Sequence, residues 1–324
     1  MKKNSAALRN RLGYIIQNMG TTIVKGDYVN RIIKILIIGI LLYFNAWSQN
    51  VVIIVIDGAR YTETCGAGIF YMPHLWKELR RLGTLWTNFR NDGITLTNPG
   101  HASIATGTWQ SIDNIGVIRP TQPTIFEYFR KASGAPESAT AVVVGKLKLN
   151  ILAYSTHPNY GAKYKASTFI GKDDTSVVRK LKTTLRQNHP KLTLVNLPST
   201  DAAGHSGDRT QYLSAIHVAD SLIYDIWQTL QADSFYRMNT TLFVTNDHGR
   251  HDNLHGGFHN HGDDCEGCRH IMLFAIGRGF PVNTVITKRR SQCDIAPTAG
   301  ELLSFPTFYS TGTSLLRDTA AVQR

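Results

Sequence analysis

No stretch of this 324-residue chain is apolar for the roughly 20 residues that a membrane-spanning helix takes. The longest apolar run, Ile32–Phe44, has 13 residues and is interrupted by Lys34. Internal repeats and long low-complexity segments are lacking, which leaves a globular, layered domain. Arginine-rich blocks, nucleic-acid motifs and base-stacking patterns are missing too, so no specific nucleic-acid binding is expected. Cysteine is scarce, with only Cys65, Cys265, Cys268 and Cys293. Cys265-Glu-Gly-Cys268 makes one CxxC, but there is no second, which argues against a structural zinc built from cysteines. In an exported chain a local disulfide, or one to a distant cysteine, is the expectation.

The formal charge is +12, yet the first 50 residues hold seven Lys/Arg and one Asp, which is half of that excess. The remainder suits a phosphorylated substrate and equally an ordinary soluble surface. Lys25, Arg31 and Lys34 surround the start of the apolar run, and Asn45-Ala-Trp-Ser-Gln49 follows it. That is the layout of a secretory signal cleaved after Ser48, although the lead before it is long and Met19 is an alternative start. Residues 1–48 are expected to be a signal peptide or, uncleaved, an N-terminal anchor. Residues 49–324 then form the folded domain, secreted or periplasmic, or tethered outside the membrane. There is no Cys at the cleavage point to carry a lipid.

Hydrophobic residues make up 42% of the chain, enough for a large core. Strand-like runs alternate with amphipathic ones, the pattern of an α/β domain. Strands are expected at 51–56, 84–89, 140–146, 192–197, 241–246 and 271–276. Helices are expected at 74–82, 101–107, 123–131, 174–187, 209–231 and 293–303. The helix from Arg209 is clearest: Tyr212, Ile216, Ala219, Ile223, Ile226 and Leu230 form one apolar stripe. Residues 148–170 lack periodicity and read as a small substrate-side insertion.

Three short segments carry the chemistry, each just after a buried-strand run: Asp57, Asp201 with His205, and Asp247 with His248. Strand ends are where open α/β sheets bind ligands. Alone, Asp57 before Gly58 reads as a turn residue; with the others it reads as a metal ligand. Asp201-Ala-Ala-Gly-His205 puts a carboxylate and an imidazole on one face of a helical turn. Mixed Asp/His ligation fits zinc and also accepts other divalent metals. Thr97-Asn-Pro-Gly-His101 lies between them, with Pro99 suited to a first helical turn. Thr97 or Asn98 would sit at that helix's N-terminus, where anions are favoured, and a metal-touched hydroxyl there is a nucleophile. The plainer role is a helix cap, and Thr95 competes two residues away. Downstream, His251, His255, His259 and His261 are too many for one centre. His261-Gly262 is favoured by its place before the run 271–276.

The landmarks Val-Ile-Asp57-Gly, Thr97-Asn-Pro-Gly-His with Ala-Thr-Gly107, Thr200-Asp201-Ala-Ala-Gly-His205, Asn246-Asp247-His248-Gly249 and His261-Gly262 resemble the alkaline phosphatase superfamily. The likeness is strongest to its nucleotide pyrophosphatase/phosphodiesterase branch and spans roughly residues 51–310. It implies a three-layer α/β/α sandwich with a mostly parallel central sheet, and two zinc ions about 4 Å apart. One would be held by Asp57, Asp247 and His248 and touch the Thr97 oxygen. The other would be held by Asp201, His205 and His261. Thr97 would attack phosphorus to give a covalent phosphothreonine, with the Asn98 N–H supporting a non-bridging oxygen.

Diesterase relatives carry an Asn some twenty residues after the nucleophile; here Asn114 comes at seventeen. Some monoesterase relatives carry a Lys-x-Arg pair, and this chain offers Lys146-Leu-Lys148. Sulfatase relatives need a Cys or Ser nucleophile in a Cys-x-Pro-x-Arg-like pattern, absent here. The mutase branch uses Ser and a larger inserted domain than this length accommodates. The expectation is therefore a zinc-dependent phosphoric ester hydrolase, leaning to phosphodiesterase or nucleotide pyrophosphatase. A phosphomonoesterase using Lys146 and Lys148 is the alternative, and an inactive exported binding module on the same fold is a rival of another class. The expected partner is a small phosphorylated substrate, such as a nucleotide; no stable protein partner is inferred.

Overall fold

The computed structural model describes residues 50–319. The expected signal or anchor and its cleavage point lie outside the described residues. Among those described, no helix is long and apolar enough to cross a membrane.

Nine strands form one sheet in the order β4-β3-β5-β1-β6-β7-β2-β8, with β9 also pairing to β2. At its centre lies β1 (Asn50–Ile56), flanked in parallel by β5 (Leu192–Leu197) and β6 (Thr240–Thr245). Every residue of these three strands is buried, as their unbroken apolar runs require. Beyond β5 come β3 (Thr140–Val144) and β4 (Ser167–Ile170), again parallel. Beyond β6, β7 (His270–Ile276) runs antiparallel to both β6 and β2 (Gly83–Arg90). The short β8 (Thr284–Ile286) and β9 (Arg290–Ser291) close that edge.

The alternating side chains of β1 explain the layers. Val51, Ile53 and Val55 face one apolar cluster, with Ala102, Ile104 and Ala105 of α1 (Thr97–Thr106) and Ile125, Phe126 and Phe129 of α2 (Ile125–Ser133). Val52, Ile54 and Ile56 face the other, with Val177, Leu181 and Leu185 of α3 (Asp174–Asn188). That side also holds the next two helices, α4 (Ser199–Ser206) and α5 (Arg209–Ala232). All six stripe residues of α5 are fully buried, each worth roughly 1.5–3 kcal/mol if aliphatic or aromatic. The architecture is thus the expected α/β/α sandwich with a mostly parallel sheet. Further on, α6 (Glu266–Arg269) leads into β7, and α7 (Ile295–Leu302) packs against the first face.

Four expectations need correction. Residues 148–170 are not an insertion: they hold two 3-10 segments, Leu147–Ala153 and Gly161–Tyr164, and the edge strand β4. The expected helix 74–82 is a π-helical turn, Leu75–Leu79, followed by a 3-10 turn, Arg80–Leu82. The helix after β2 starts at Thr97, four residues before the expected 101, because Leu96 is extended and ends the preceding loop. Finally, none of the four cysteines forms a disulfide; all are buried and free.

Candidate metal centre and nucleophile

Strands β1, β3, β5 and β6 are mutually parallel, so the residues just past their ends meet at one edge. Asp57 follows β1, Lys146 follows β3, Asp201 lies in the α4 turn after β5, and Asp247 and His248 follow β6. Gly58, at φ +64°, turns the chain sharply there; a Cβ on it would stand 2.7 Å from Asp201 Oδ1. On α1, a Cβ at Gly100 would stand 2.4 Å from the Asp247 carbonyl oxygen, so that glycine lets the helix settle onto the site.

Asp57 and Asp247 are completely buried. Asn196 and Lys146 bond to Asp57 Oδ2, at 2.9 and 2.8 Å, while Oδ1 has no hydrogen-bond partner. Asp247 Oδ1 accepts from the Gly58 and His248 N–H groups, while Oδ2 accepts no hydrogen bond and has His101 Nδ1 3.1 Å away. His248 Nδ1 donates to the Gly249 carbonyl at 2.7 Å, which turns Nε2 inward without a partner, 3.4 Å from Asp247 Oδ2 and 3.7 Å from Asp57 Oδ1. Three buried donor atoms aimed at each other without hydrogen bonds are costly unless a cation joins them. A carbonyl fixing the far nitrogen of a ligand His is the usual outer support of a metal site.

The second group adjoins the first. His261 Nδ1 donates to the Thr95 carbonyl at 3.0 Å and its Nε2 faces His205 Nε2 at 3.2 Å and Asp201 Oδ1 at 3.5 Å. His205 Nε2 is 3.4 Å from the same carboxylate oxygen. The His248 and His261 rings stack with centroids 3.9 Å apart, so the two groups form one continuous centre. His248 also lies close enough to Asp201 and His261 to join them in a three-residue ligand set.

The electrostatics follow from burial and crowding. Burial, then the neighbouring Asp247, pushes the Asp57 carboxyl up. Burial would raise Asp201 too, but Lys146, His248 and Arg250 hold it well below the usual carboxylate range. Burial would likewise raise Asp247, and His248, His101 and Lys146 outweigh it. For Lys146, burial disfavours the charge, and Asp57, Asp201 and Asp247 more than restore it. Burial pushes His205 down, and burial with the charge of His248 takes His261 to about 3. A divalent cation would favour neutral imidazoles and ionised carboxylates in this crowded group, Asp57 included.

Thr97 is buried in the first turn of α1 with its Oγ1 3.4 Å from Lys146 Nζ, which also bonds Asp201 Oδ2 at 2.6 Å. Its competitor Thr95 is occupied, donating its hydroxyl to the Asp263 carbonyl. Asn114 lies beside the start of α1, for its Oδ1 accepts the Asn98 N–H at 3.0 Å and the Lys148 ammonium at 3.0 Å. The Asn98 N–H is therefore already engaged. The group left free is the Asn98 side-chain amide, buried with neither end partnered. Burial and the adjacent Lys146 charge push Lys148 down. Of the remaining histidines, His251 pairs with Asp263 and the exposed His255 with Asp252.

Three residues of the site escaped sequence reasoning. His101 is buried with its Nδ1 donating to the Thr97 carbonyl and standing 3.1 Å from Asp247 Oδ2, and its Nε2 accepts from Asn196; with Asp57 and Asp247 it is close enough to form a further three-residue ligand set. Asn196 Nδ2 ties that ring to Asp57. Arg250, fully buried, bonds Asp201 and the Phe258 and His259 carbonyls, and a Cβ at Gly204 would stand 2.4 Å from its Cζ. Arg250 carried a signal, a charge directly after Asp247-His248-Gly249, and His101 stood inside the Thr97-Asn-Pro-Gly-His101 motif without a role; Asn196 carried none.

Residues 156–306 match the family model of the Metalloenzyme superfamily, a segment holding five of the seven expected metal ligands. A curated 2,3-bisphosphoglycerate-independent phosphoglycerate mutase from Gracilaria tenuistipitata var. liui is 29% identical over 122 residues, 37% of this chain and 22% of that protein. The chain thus spans about a fifth of that relative's length. Among solved structures, an alkaline phosphatase superfamily protein of Vibrio parahaemolyticus gives a TM-score of 0.62 at 15% identity, covering 83% of this chain and 70% of its own. Murine ectonucleotide pyrophosphatase/phosphodiesterase 5 gives 0.60 at 14%, covering 82% and 98%. The phosphonate monoester hydrolase of Agrobacterium radiobacter gives 0.59 at 14%, covering 84% and 77%.

Proposed function

For a chain with the alkaline phosphatase superfamily fold and a metalloenzyme segment, we propose hydrolysis of phosphate esters at two divalent metal ions, with Thr97 as nucleophile. The observation that carries this is the trio of buried atoms without a hydrogen bond, Asp57 Oδ1, Asp247 Oδ2 and His248 Nε2, with Lys146 Nζ joining Asp57 Oδ2 to the Thr97 hydroxyl. Asp57, Asp247 and His248 would hold one ion next to Thr97 Oγ1, and Asp201, His205 and His261 the other. Zinc suits the mixed carboxylate and imidazole donors. Bound there, the ions acidify the attacking alcohol and neutralise charge on the attacking and leaving oxygens.

The chain's own groups supply the rest. Thr97 is fixed at the start of α1, where backbone N–H groups and the helix dipole favour the incoming phosphoryl group. Its Oγ attacks phosphorus, the ester P–O bond breaks, and the alkoxide leaves as an alcohol after protonation. Water then attacks the phosphothreonine from the vacated side and regenerates Thr97. The unpartnered Asn98 amide and Asn114, beside Lys148, are the donors at hand for a non-bridging oxygen.

A diester is the preferred substrate. A monoester is the second reading, favoured by the two ammonium groups of Lys146 and Lys148 near Thr97, which suit the extra charge of a dianion. Parallel turnover of p-nitrophenyl phosphate and bis-p-nitrophenyl phosphate, with chelator and with zinc restored, tests both. Faster diester cleavage supports the first reading and faster monoester cleavage the second. No zinc-dependent turnover of either would overturn the function. Export to the periplasm or beyond completes the proposal, resting on the N-terminal apolar segment.

A further inference from the structure

The loop between β6 and β7 carries ligand chemistry that the centre beside Thr97 does not use. His251, Asp263 and Cys268 offer donor atoms that all lie within 4.8 Å of one another. His251 Nε2 stands 3.4 Å from Asp263 Oδ2. Asp263 Oδ1 accepts the N–H of Cys265 at 3.1 Å, and its carboxylate is in hydrogen-bond reach of both the Cys265 and Cys268 thiols, which also touch each other. Both cysteines are buried and unbridged. The sequence offers no second CxxC, but the fold supplies an imidazole and a carboxylate in its place.

We propose that His251, Asp263, Cys265 and Cys268 bind one structural zinc ion, separate from the centre at Thr97. A tetrahedral site with two thiolates, one imidazole and one carboxylate places neighbouring donors roughly 3.3–3.8 Å apart; His251, Asp263 and Cys268 already lie within 4.8 Å of one another, and Cys265 would swing in from the same CxxC turn. Both thiols are deprotonated on binding, their protons passing to solvent, while the carboxylate and the imidazole enter as they are. The overlapping trio of Asp252, His255 and Cys265 is the poorer set. Asp252 Oδ1 is already committed to the Leu254 and His255 N–H groups and to His255 Nδ1, and His255 is exposed.

The site has a mechanical purpose. The loop is tied at its base by Gly249 N–H to the Cys268 carbonyl and Arg250 N–H to the Gly267 carbonyl, and higher up by His251 N–H to the Asn260 carbonyl. Between those ties Phe258 is buried against Tyr212, while the tip at Leu254 is 93% exposed. A zinc clasping residue 251 to residues 263–268 closes the loop that presents His261 to Asp201. The inference rests on the loop's own geometry and holds whatever reaction occurs at Thr97.

The test is zinc content by plasma mass spectrometry on reduced full-length protein. Cys265→Ser/Cys268→Ser should lower it by one equivalent, both in the wild type and in an Asp57→Asn/Asp247→Asn background that disables the centre at Thr97. Equal zinc with and without the cysteines would overturn the site. Cobalt loading of unmutated protein needs no variant: a thiolate-to-cobalt charge-transfer band in the near ultraviolet is expected, and its absence at full loading refutes cysteine ligation. Thiol titration of the denatured, metal-free protein should count four thiols. A count of two would mean that a disulfide takes the place of the zinc.

Discussion

Replacing Arg250 by Met removes a buried guanidinium of similar length and hydrophobic stem. It breaks the ion pair with Asp201 and frees the carbonyls of Phe258 and His259. Removing one partner of a buried pair costs about 3–5 kcal/mol, and each orphaned carbonyl about 1–3 kcal/mol before water enters. Asp201 keeps Lys146 at 2.6 Å, which moderates the loss. A net destabilisation of roughly 4 kcal/mol follows. At about 2–4 °C per kcal/mol for a chain of this size, the melting temperature of chelator-treated protein should fall by roughly 8–16 °C. Asp201 and the loop with His261 are both held by this side chain, so zinc affinity should drop by about 10–100-fold. Arg250→Lys restores charge without the fork and should lie between. Calorimetry with parallel zinc titration reads both effects. A Met variant melting within about 2 °C of wild type, with unchanged zinc affinity, would refute the role given to Arg250.

Thr97→Ala should abolish turnover of either p-nitrophenyl substrate while melting temperature and metal content stay close to wild type; retained turnover would exclude Thr97 as nucleophile. Alanine at both Lys146 and Lys148 should depress monoesterase activity by a larger factor than diesterase activity, and equal losses would reject their role as dianion ligands. The metal-free fold should be acid-sensitive through His261. Burial and the charge of His248 hold that imidazole down to about 3, against about 6.5 in the unfolded chain. The unfolded state therefore takes up the proton first, and stability is lost as pH falls below about 6.5. Urea midpoints at pH 7.5 and 5 should fall further in metal-free wild type than in His261→Asn; parallel losses would contradict it.

Much of this arrangement was legible because fully buried strands announce themselves. The Val/Ile run of β1 and the apolar runs of β5 and β6 located the three strand ends, and hence Asp57, Asp201 and Asp247 at one edge. The stripe of α5 was equally plain, since a helix packed on a sheet must repeat its apolar residues every three or four positions. The edge strands β4 and β8 were not, because they are short and only partly buried, so no alternation marks them. The π-helical turn at Leu75–Leu79 keeps the same apolar residues inward as an α-helix would, so periodicity cannot separate the two. The roles of Asn196 and His101 were hidden for a different reason, although His101 closes the Thr97-Asn-Pro-Gly-His101 motif. Each works through a partner far along the chain, Asn196 with Asp57 and His101 with Asp247, and no local pattern encodes such a pairing. The cysteines misled because a CxxC spacing does not by itself tell a disulfide from two free thiols.

Anomalous diffraction at the zinc edge from crystals grown with zinc reads the centre most directly. Two peaks are expected beside Thr97, one among Asp57, Asp247 and His248 and one among Asp201, His205 and His261. A zinc-saturated crystal with no peak at those side chains would contradict the metal centre and the chemistry built on it.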